Sequence, residues 1–262
     1  MTPAERPAAA LARLYDLDLA EDPGDLDLYL ALAARTSGPI LELAVGSGRL
    51  AVPLAADGHE VTGVDPDPAM LARARLAADA AGPAVAGRLR LVEGDGRSIR
   101  LPGAGSYRLA FIPLNSIFVF GTRADQAAAV ATLAAHLAPG GLAVLDAWLP
   151  DAEDLSRYDG RLVLEWVRED PVTGLTVTKT GSAVLDAASG VVRLTTIFEE
   201  GRPGEAPVRW VRADRLRLAG TDDLVGFAEA AGLVVESLAG GYELGPLAAG
   251  AERVVLIARR PA

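Results

Sequence analysis

The chain of 262 residues contains no cysteine. The absence of thiols excludes disulfide bonds, thiolate metal sites and cysteine nucleophiles. Lysine occurs once, at Lys179, and histidine twice. The formal net charge is −10, so the chain lacks the clustered basic residues that bind a phosphate backbone. Duplex DNA and long RNA are therefore not expected as partners, and no metal site is predicted.

Long apolar segments are lacking as well. Residues 1–12 show no basic flank followed by an apolar stretch, so no secretion signal is predicted. The longest candidate for a membrane span, residues 124–137, is too short and includes Asp125 and His136. We therefore expect a cytoplasmic protein without membrane association. Its richness in Ala, Leu, Val and Arg indicates a GC-rich, bacterial coding sequence.

Half of the residues are hydrophobic, which is sufficient for a full α/β core at this chain length. Residues 40–45 form a short apolar run that ends in Gly46-Ser47-Gly48, and residues 50–56 then have helical character. This order is typical of a strand, a glycine turn and a helix. Further strands are predicted at 60–64, 88–92, 108–113 and 142–146, and further helices at 69–80 and 125–137.

Local signals define the ends of these helices. Asp67 is suited to cap the helix that follows it, and Pro68 to occupy its first position. Pro139-Gly140-Gly141 is predicted to end the helix before the fifth strand. Strands that alternate with helices in this way imply right-handed crossovers and a parallel sheet covered on both faces.

The pattern changes after Pro150 to an alternation with period two. Antiparallel strands are predicted there at 162–168, 175–185, 191–198 and 207–218. Thr221 is expected to cap a helix that runs to Ala231 and ends at Gly232, and strands at 233–238 and 253–258 are expected to rejoin the main sheet. The predicted fold is α/β, a Rossmann-like, doubly wound seven-stranded sheet with an antiparallel β insertion between strands 5 and 6.

Three regions follow from this reading. Residues 1–150 are predicted to form a cofactor-binding Rossmann-like core with an N-terminal helical cap. Residues 151–219 are predicted to be the insertion, serving as a lid or a dimer sheet. Residues 220–262 would supply the C-terminal helix and the last two strands of the core.

The glycine loop allows two interpretations. Gly46-x-Gly48-x-x-Ala51 satisfies the fingerprint of dinucleotide-binding proteins, and Asp65 would bind the ribose of either a dinucleotide or another nucleoside cofactor. Glu42 lies just ahead of the glycines, where a carboxylate suits an ammonium group and opposes a pyrophosphate. The segment Glu93-Gly94-Asp95-Gly96-Arg97 offers an acid to an adenine amine.

The residues that hydride transfer usually requires are missing. Lys179 has Leu175 four residues before it, so no Tyr-x-x-x-Lys pair exists. His59 precedes the second strand and His136 lies on the helix before Pro139, so both are expected to be structural. An NAD(P)-dependent oxidoreductase remains the alternative function.

With these motifs in place, residues 38–147 resemble the core of the class I methyltransferases that use S-adenosylmethionine. The resemblance covers less than half of the chain. It implies that the methionine moiety binds at Glu42, Ala44, Gly46 and Gly48, where Ala44 departs from the usual first glycine. It also implies contacts of the ribose with Asp65 and of the adenine with Asp95. Pro66 and Asp67 then form the adenine-side turn, and Pro66, Gly96 and Arg97 are further cofactor contacts.

The segment at residues 111–118 resembles the Asn-Ser-Phe segment of the glycine and amino-sugar N-methyltransferase branch. This resemblance implies catalytic roles near the methyl group for Asn115 and Ser116, a cofactor contact for Leu114 and an acceptor contact for Phe118. In the alternative interpretation Asn115 only caps the turn.

Other residues have two interpretations each. Tyr15 resembles the tyrosine that closes over the cofactor in the same branch, with a catalytic phenol, and is otherwise a packing residue. Tyr29 either packs its helix or contacts the cofactor. Arg49 either pairs with a carboxylate or caps the loop. Trp148, just past the fifth strand, is expected to wall the acceptor pocket.

The placement of the insertion is similar to that in sugar N-methyltransferases, which implies a small-molecule acceptor and a homodimer. The arginines at 157, 161, 209 and 212 are expected on any exposed antiparallel sheet, so no anion site is predicted from them. The expected activity is transfer of a methyl group from S-adenosylmethionine to a nitrogen or oxygen of a secondary metabolite or sugar. A protein that binds this cofactor without methyl transfer is a further alternative.

Overall fold

The computed structural model describes residues 5–21 and 23–262. The described residues divide into two compact units: residues 5–21 together with Pro150–Leu218, and a larger unit of residues 23–149 with Ala219–Ala262. The domain division predicted from the sequence groups the N-terminal residues with the core instead.

Elements are numbered along the whole chain. The strands of the larger unit are β1 (Ile40–Leu43), β2 (Val61–Asp65), β3 (Leu89–Glu93), β4 (Tyr107–Ile112), β5 (Leu137–Trp148), β10 (Val234–Ala239) and β11 (Arg253–Arg259). Its helices are α2 (Leu26–Thr36), α3 (Ala51–Ala56), α4 (Pro68–Ala81), α5 (Pro83–Arg88), α6 (Arg123–His136) and α8 (Thr221–Ala230). A 3-10 helix occupies Ser116–Phe120.

The seven strands form one sheet in the order β10-β11-β5-β4-β1-β2-β3. The strands from β5 to β3 pair in parallel, whereas β11 runs antiparallel to both β5 and β10. Every residue of β1 and β2 is buried, as expected for a sheet with helices on both faces. The Rossmann-like fold with seven strands is confirmed.

The predicted turn at Pro139-Gly140-Gly141 is wrong in form. Helix α6 ends at His136, and β5 already begins at Leu137, so the three residues lie inside that strand. The register with β4 shifts at this point, and Gly140 has a φ of 75°. Proline and glycine therefore make a bulge at the start of the strand, where the missing proline N–H and the left-handed glycine are tolerated.

Of the two predicted helix caps, one is confirmed and the other is wrong. The Asp67 side chain accepts a hydrogen bond from the Ala69 N–H, and Pro68 begins α4, as predicted. At α8 the cap position is Gly220, and Thr221 is already the first helical residue without a side-chain cap bond, so that prediction is wrong.

Short elements escaped prediction. Helix α5, the 3-10 helix and the short helix Ala152–Ser156 of the smaller unit were not predicted from the sequence. Helices of five or six residues show too little of a 3.6-residue period to be recognised, and the apolar 116–120 segment reads as the continuation of a strand.

The smaller unit contains α1 (Glu5–Asp18), α7 (Ala152–Ser156) and a four-stranded antiparallel sheet. Its strands, in sheet order, are β6 (Val163–Glu169), β7 (Thr176–Asp186), β8 (Val191–Gly201) and β9 (Val208–Arg217). Leu14 and Leu17 of α1 form a small core with Val177 and Phe198. This sheet is the predicted insertion, and it lies between β5 and β10 in sequence.

Charged groups fasten α1 to that sheet. Arg13 pairs with Asp170 and Glu200, and Lys179 donates to Asp18 over 2.6 Å. Trp166 donates its indole N–H to Asp18 over 2.8 Å. These partly buried pairs are costly to break, because removal of one partner leaves the other charge buried and unpaired.

No helix within residues 5–21 and 23–262 is long and apolar enough to cross a membrane.

Candidate active site

The carboxyl ends of β1, β2, β4 and β5 meet at one edge of the sheet, because these strands are parallel neighbours. In open α/β sheets ligands bind at this edge, where the strand order reverses. In the larger unit the reversal lies between β1 and β4.

The loop after β1 turns sharply through left-handed backbone. Ala44, Gly46 and Gly48 have φ values of 60°, 55° and 85°. The Gly48 N–H donates to the Val45 carbonyl at 3.0 Å, which closes the turn. Ala44 therefore keeps the conformation that suits glycine, at a cost of about 1–2 kcal/mol relative to the right-handed region. The turn survives the departure from the family pattern.

Asp65, at the end of β2, joins two turns. Its Oδ2 accepts a hydrogen bond from the Gly46 N–H at 2.9 Å, and its Oδ1 accepts one from the Asp67 N–H at 2.9 Å. A carboxylate can accept about four hydrogen bonds, so these two do not by themselves exclude one from a ribose hydroxyl. Asp65 thus shapes the glycine loop.

Glu42 is a buried acid whose charge is poorly compensated. The side chain is only 3% exposed, and within the described residues its Oε2 has no hydrogen-bond partner. Burial raises the pKa of Glu42 well above its usual value; Arg49 opposes this, while Asp25 and Asp65 add to it. A buried acceptor without a donor fits a ligand that brings a positively charged donor, such as an ammonium group.

Arg49 pairs with a carboxylate, which is one of the two roles considered for it from the sequence. Its Nη1 and Nη2 donate to the two oxygens of Asp25 at 2.6 and 2.7 Å, and Asp25 is fully buried. Bidentate pairs of this kind are strong and directional. The pair ties the segment before α2 to the end of the glycine loop.

Asp95 and Arg97 form an ion pair after β3. Arg97 donates its Nε and Nη2 to Asp95 at 2.9 and 2.6 Å, and its Nη1 to Asp125 at 3.0 Å. The Arg97 hydrogen bonds lower the pKa of Asp95. Gly96 lies buried against Phe120, whose ring would be 3.3 Å from an added Cβ, whereas Pro66 is exposed. A ligand donor at Asp95 would share the carboxylate with Arg97.

The loop after β4 is also left-handed. Leu114 and Asn115 have φ values of 46° and 64°. Oδ1 of Asn115 accepts hydrogen bonds from the Trp148 backbone N–H at 2.6 Å and from Arg253 Nη1 at 3.2 Å. The Asn115 side chain does not cap the 3-10 helix, so the capping interpretation is wrong. Ser116 begins that helix, and Phe118 is buried.

A cluster of polar side chains surrounds Asp146 near the end of β5. Its carboxylate accepts from Tyr29 at 2.8 Å, Tyr242 at 3.0 Å, Arg253 at 2.7 Å and the Leu114 N–H at 2.9 Å. Asp146 and Tyr29 are fully buried, and burial raises the pKa of both. Tyr29 therefore has two structural roles. Its ring packs with its centre 4.4 Å from that of Phe111, and its hydroxyl donates to Asp146.

Four residues of this edge escaped sequence reasoning, namely Asp25, Asp146, Tyr242 and Arg253. Asp146 gives a signal that could have been used, since it is an acid inside an apolar strand, as Glu42 is. Arg253 and Tyr242 give none, because an arginine at the start of a strand and a tyrosine in a loop are common on protein surfaces.

The two histidines lie away from this edge. His136 is buried, and its Nε2 accepts from the Leu101 N–H at 3.1 Å. His59 approaches Asp57 at 3.3 Å. Both have structural contacts, as predicted. Across the described part of the chain, no group of three or more His, Asp or Glu side chains is arranged to hold a metal ion.

Tyr15 and the four insertion arginines belong to the smaller unit. Tyr15 lies on α1 and is partly exposed. The arginines pair with acids of the same unit, Arg157 with Glu153, Arg161 with Asp159, Arg209 with Glu199 and Arg212 with Asp214. Such exposed neighbour pairs agree with ordinary surface roles.

Comparison with known proteins decides the kind of cofactor. Residues 40–141 match the family described as "Methyltransferase domain", a span that contains the glycine loop, Asp65 and Asp95. Residues 40–141 are therefore a methyltransferase domain, and the chain is an enzyme that uses S-adenosylmethionine. The methyltransferase carries this domain in its larger unit, and the predicted cofactor is confirmed.

Relatives of the methyltransferase match over nearly the whole chain. The cypemycin N-terminal methyltransferase of a Streptomyces species is 26% identical over 228 residues, 84% of this chain and 82% of that protein. The CcbJ methyltransferase of Streptomyces caelestis is 24% identical, with a TM-score of 0.76 and coverage of 93% and 98%. CalS10, an amino pentose methyltransferase of Micromonospora echinaspora, is 23% identical, with a TM-score of 0.69 and coverage of 94% and 96%.

Proposed function

We propose that the methyltransferase transfers the methyl group of S-adenosylmethionine to a nitrogen or oxygen of a small secondary metabolite or sugar. The observation that carries the cofactor half of this proposal is the buried, partnerless Oε2 of Glu42 beside a left-handed glycine loop. The relatives support an amine nitrogen as the acceptor, since two of them are named for an N-terminus and for an amino pentose.

The residues present fit this cofactor. Glu42 would hold its ammonium group, Asp65 its ribose and Asp95 its adenine, with Tyr29, Arg49 and Leu114 shaping the cavity. The remaining contacts would come from Ala44, Gly46, Gly48, Pro66, Gly96 and Arg97. When bound, the cofactor supplies a methyl group already activated for displacement by its positively charged sulfur.

The chain's own residues would mainly align the acceptor and exclude water. Oδ1 of Asn115 is fixed by two donors, whereas its Nδ2 has no hydrogen bond within the described residues. We therefore propose Nδ2 as the group of Asn115 that contacts the acceptor. Phe118 and Trp148 would wall the pocket, and Ser116 would direct the nucleophile. A neutral amine needs no dedicated base, because it can lose its proton to water after transfer.

The cofactor half is tested by calorimetric titration with S-adenosylhomocysteine. Wild type should bind, Glu42→Gln should weaken binding at least about tenfold, and a Glu60→Gln control, an exposed acid before β2, should match wild type. Heat with NADH and none with S-adenosylhomocysteine would support the oxidoreductase instead.

The acceptor half is tested by incubation with amino sugars, short peptides and hydroxylated metabolites, followed by mass spectrometry for the added methyl group. An amine product supports the proposal. Tight cofactor binding with no product from any acceptor class would favour a cofactor-binding protein without methyl transfer.

A homodimer is also proposed, through the sheet face opposite α1. Val167 and Val211 lie on that face and are 56% and 53% exposed, while Trp166 and Trp210, on the other face, pack against the α1 core. Analytical ultracentrifugation of Val167→Asp with Val211→Asp should show a monomer if this face pairs, and an unchanged mass would refute it.

The net charge of −10 supports a small molecule rather than nucleic acid as the partner. The bacterial relatives support a bacterial enzyme, for which we propose a cytoplasmic location.

A further inference from the structure

Asp146 connects four separate parts of the larger unit. Its carboxylate is bonded to Tyr29 of α2, Tyr242 of the β10–β11 loop, Arg253 of β11 and the backbone of Leu114. We call Asp146, Tyr29, Tyr242 and Arg253 the Asp146 network. A buried carboxylate with this many donors is held in one orientation.

The network supports a strained turn. Leu114 and Asn115 are consecutive residues with left-handed φ values of 46° and 64°, a conformation that residues with a Cβ rarely adopt. Such backbone persists only where surrounding bonds determine it, and it concentrates at functional sites. Here the Leu114 N–H is bonded to Asp146 at 2.9 Å, which fixes the first residue of the pair.

Arg253 fixes the second residue. Its Nη1 donates to Oδ1 of Asp146 at 2.7 Å and to Oδ1 of Asn115 at 3.2 Å, so one nitrogen bridges the two side chains. The guanidinium also stacks over the Tyr242 ring, 4.9 Å from its centre. A flat, charged group that is both bonded and stacked has little freedom to move.

Trp148 is coupled to the same bridge. Its backbone N–H donates to the Asn115 oxygen that Arg253 contacts, and Trp148 pairs with Arg253 across β5 and β11. The glycine loop, by contrast, is held by the Gly48–Val45 backbone hydrogen bond and by Asp65. The loop and the Asn115 side chain are therefore held by different side chains.

We propose that Arg253 and Tyr242 are positioning residues for methyl transfer, which hold Asn115 and Trp148 in place through Asp146. The inference rests on the proposed function, because it assigns the Asp146 network to the side of the site that binds the acceptor. Loss of the bridge should release the Asn115 side chain, while Leu114, which Asp146 still holds, and with it cofactor binding, should stay intact.

The test labels the three tryptophans with 5-fluorotryptophan and follows them by fluorine NMR, with Trp148 assigned from Trp148→Phe. Arg253→Met should shift or broaden the Trp148 resonance and leave those of Trp166 and Trp210 unchanged. Arg253→Lys should restore part of the signal, since an ammonium can still bridge two oxygens. Arg259→Met, on the same strand but paired with Glu236, is the matched control and should change nothing at Trp148.

Titration with S-adenosylhomocysteine completes the test. The affinity of Arg253→Met and Tyr242→Phe should stay within about threefold of wild type. With an acceptor in hand, kcat should fall about tenfold or more, while KM for the cofactor holds, and Arg253→Lys should recover part of kcat.

Two results would overturn the proposal. One is an unchanged Trp148 resonance in a folded Arg253→Met protein; should that variant not fold, an unchanged resonance in Tyr242→Phe has the same meaning. The other is an equal loss of S-adenosylhomocysteine affinity in Arg253→Met and Glu42→Gln. Failure of wild type to bind S-adenosylhomocysteine would instead refute the proposed function, whatever Trp148 shows.

Discussion

The carboxylate of Asp65 accepts a hydrogen bond from the backbone N–H of Gly46 across 2.9 Å, so the residue expected to bind ribose also holds the glycine loop. Its other oxygen accepts from the Asp67 N–H. Replacement of Asp65 therefore affects loop geometry and ligand binding together. A variant that removes the whole side chain would confuse the two effects.

Asp65→Asn should separate them better. A carboxamide can accept from only one of the two N–H groups, so the free energy of unfolding should fall by about 1–2 kcal/mol, and S-adenosylhomocysteine affinity should fall about tenfold or more. Urea unfolding and calorimetry measure the two effects. Asp79→Asn, a change of an exposed acid on α4, is the control and should change neither quantity. Equal losses in both variants would contradict the prediction.

Glu42→Gln should make the ligand-free methyltransferase more stable at neutral pH. The pKa of Glu42 is raised in the folded state, so this group contributes stability that is present below the usual glutamic acid pKa and lost as pH rises through the raised value. Glutamine does not titrate, so the loss disappears in the variant. Urea unfolding between about pH 4 and pH 8 should show that the free energy of unfolding of the variant increases relative to that of wild type as the pH rises.

The ligand should reverse this order. Because the ammonium of S-adenosylhomocysteine stabilises the ionised form of Glu42, the ligand should raise the unfolding midpoint of wild type more at pH 8 than at about pH 5. Glu42→Gln should show a small midpoint shift at both values. Equal ligand-induced shifts in the two proteins would refute an ammonium contact at Glu42.

Ala44→Gly tests the left-handed backbone at the glycine loop. Relief of about 1–2 kcal/mol of backbone strain is partly offset by about 0.5–1 kcal/mol of glycine entropy, so a small stabilisation of roughly 0.5 kcal/mol is expected. Ala110→Gly in the buried part of β4 is the matched control and should destabilise, since Ala110 is not in left-handed backbone and is fully buried. Destabilisation of similar size in both variants, measured by thermal unfolding, would show that Ala44 is not strained.

His136→Leu separates stability from function at the far side of the fold. The change leaves the buried Leu101 N–H without its acceptor, so the free energy of unfolding should fall by about 1–3 kcal/mol. S-adenosylhomocysteine affinity, measured where both proteins are folded, should not change. His59→Leu removes a partly exposed contact with Asp57 and should cost less than about 1 kcal/mol. A loss of affinity in His136→Leu would contradict a purely structural role.

Much of the cofactor half of the site could be predicted from the sequence. The strand, glycine turn and helix at residues 40–56, the cap at Asp67, and acids at Glu42 and Asp65 depend on residues close together in the chain. Local backbone preferences and the period of apolar residues act over the same short range. For this reason the order of the strands and the place of the insertion were also predictable.

The acceptor half had no comparable signal. Asp146 is separated from Tyr29 by 117 residues, from Arg253 by 107 and from Tyr242 by 96. Nothing in the local sequence of these residues indicates that they meet. The sequence around Asn115 likewise does not indicate that its side chain accepts hydrogen bonds from Trp148 and Arg253 rather than capping a helix.

The amino-acid sequence alone determined the Rossmann-like fold and the cofactor loop, because each depends on short-range patterns, and the family resemblance implied the class of the cofactor. Tertiary structure decided the bulge at Pro139–Gly141, the left-handed turn at Leu114 and Asn115, and the Asp146 network. Each of these depends on hydrogen bonds between strands or loops that come together only when β4, β5 and β11 pair in the folded sheet.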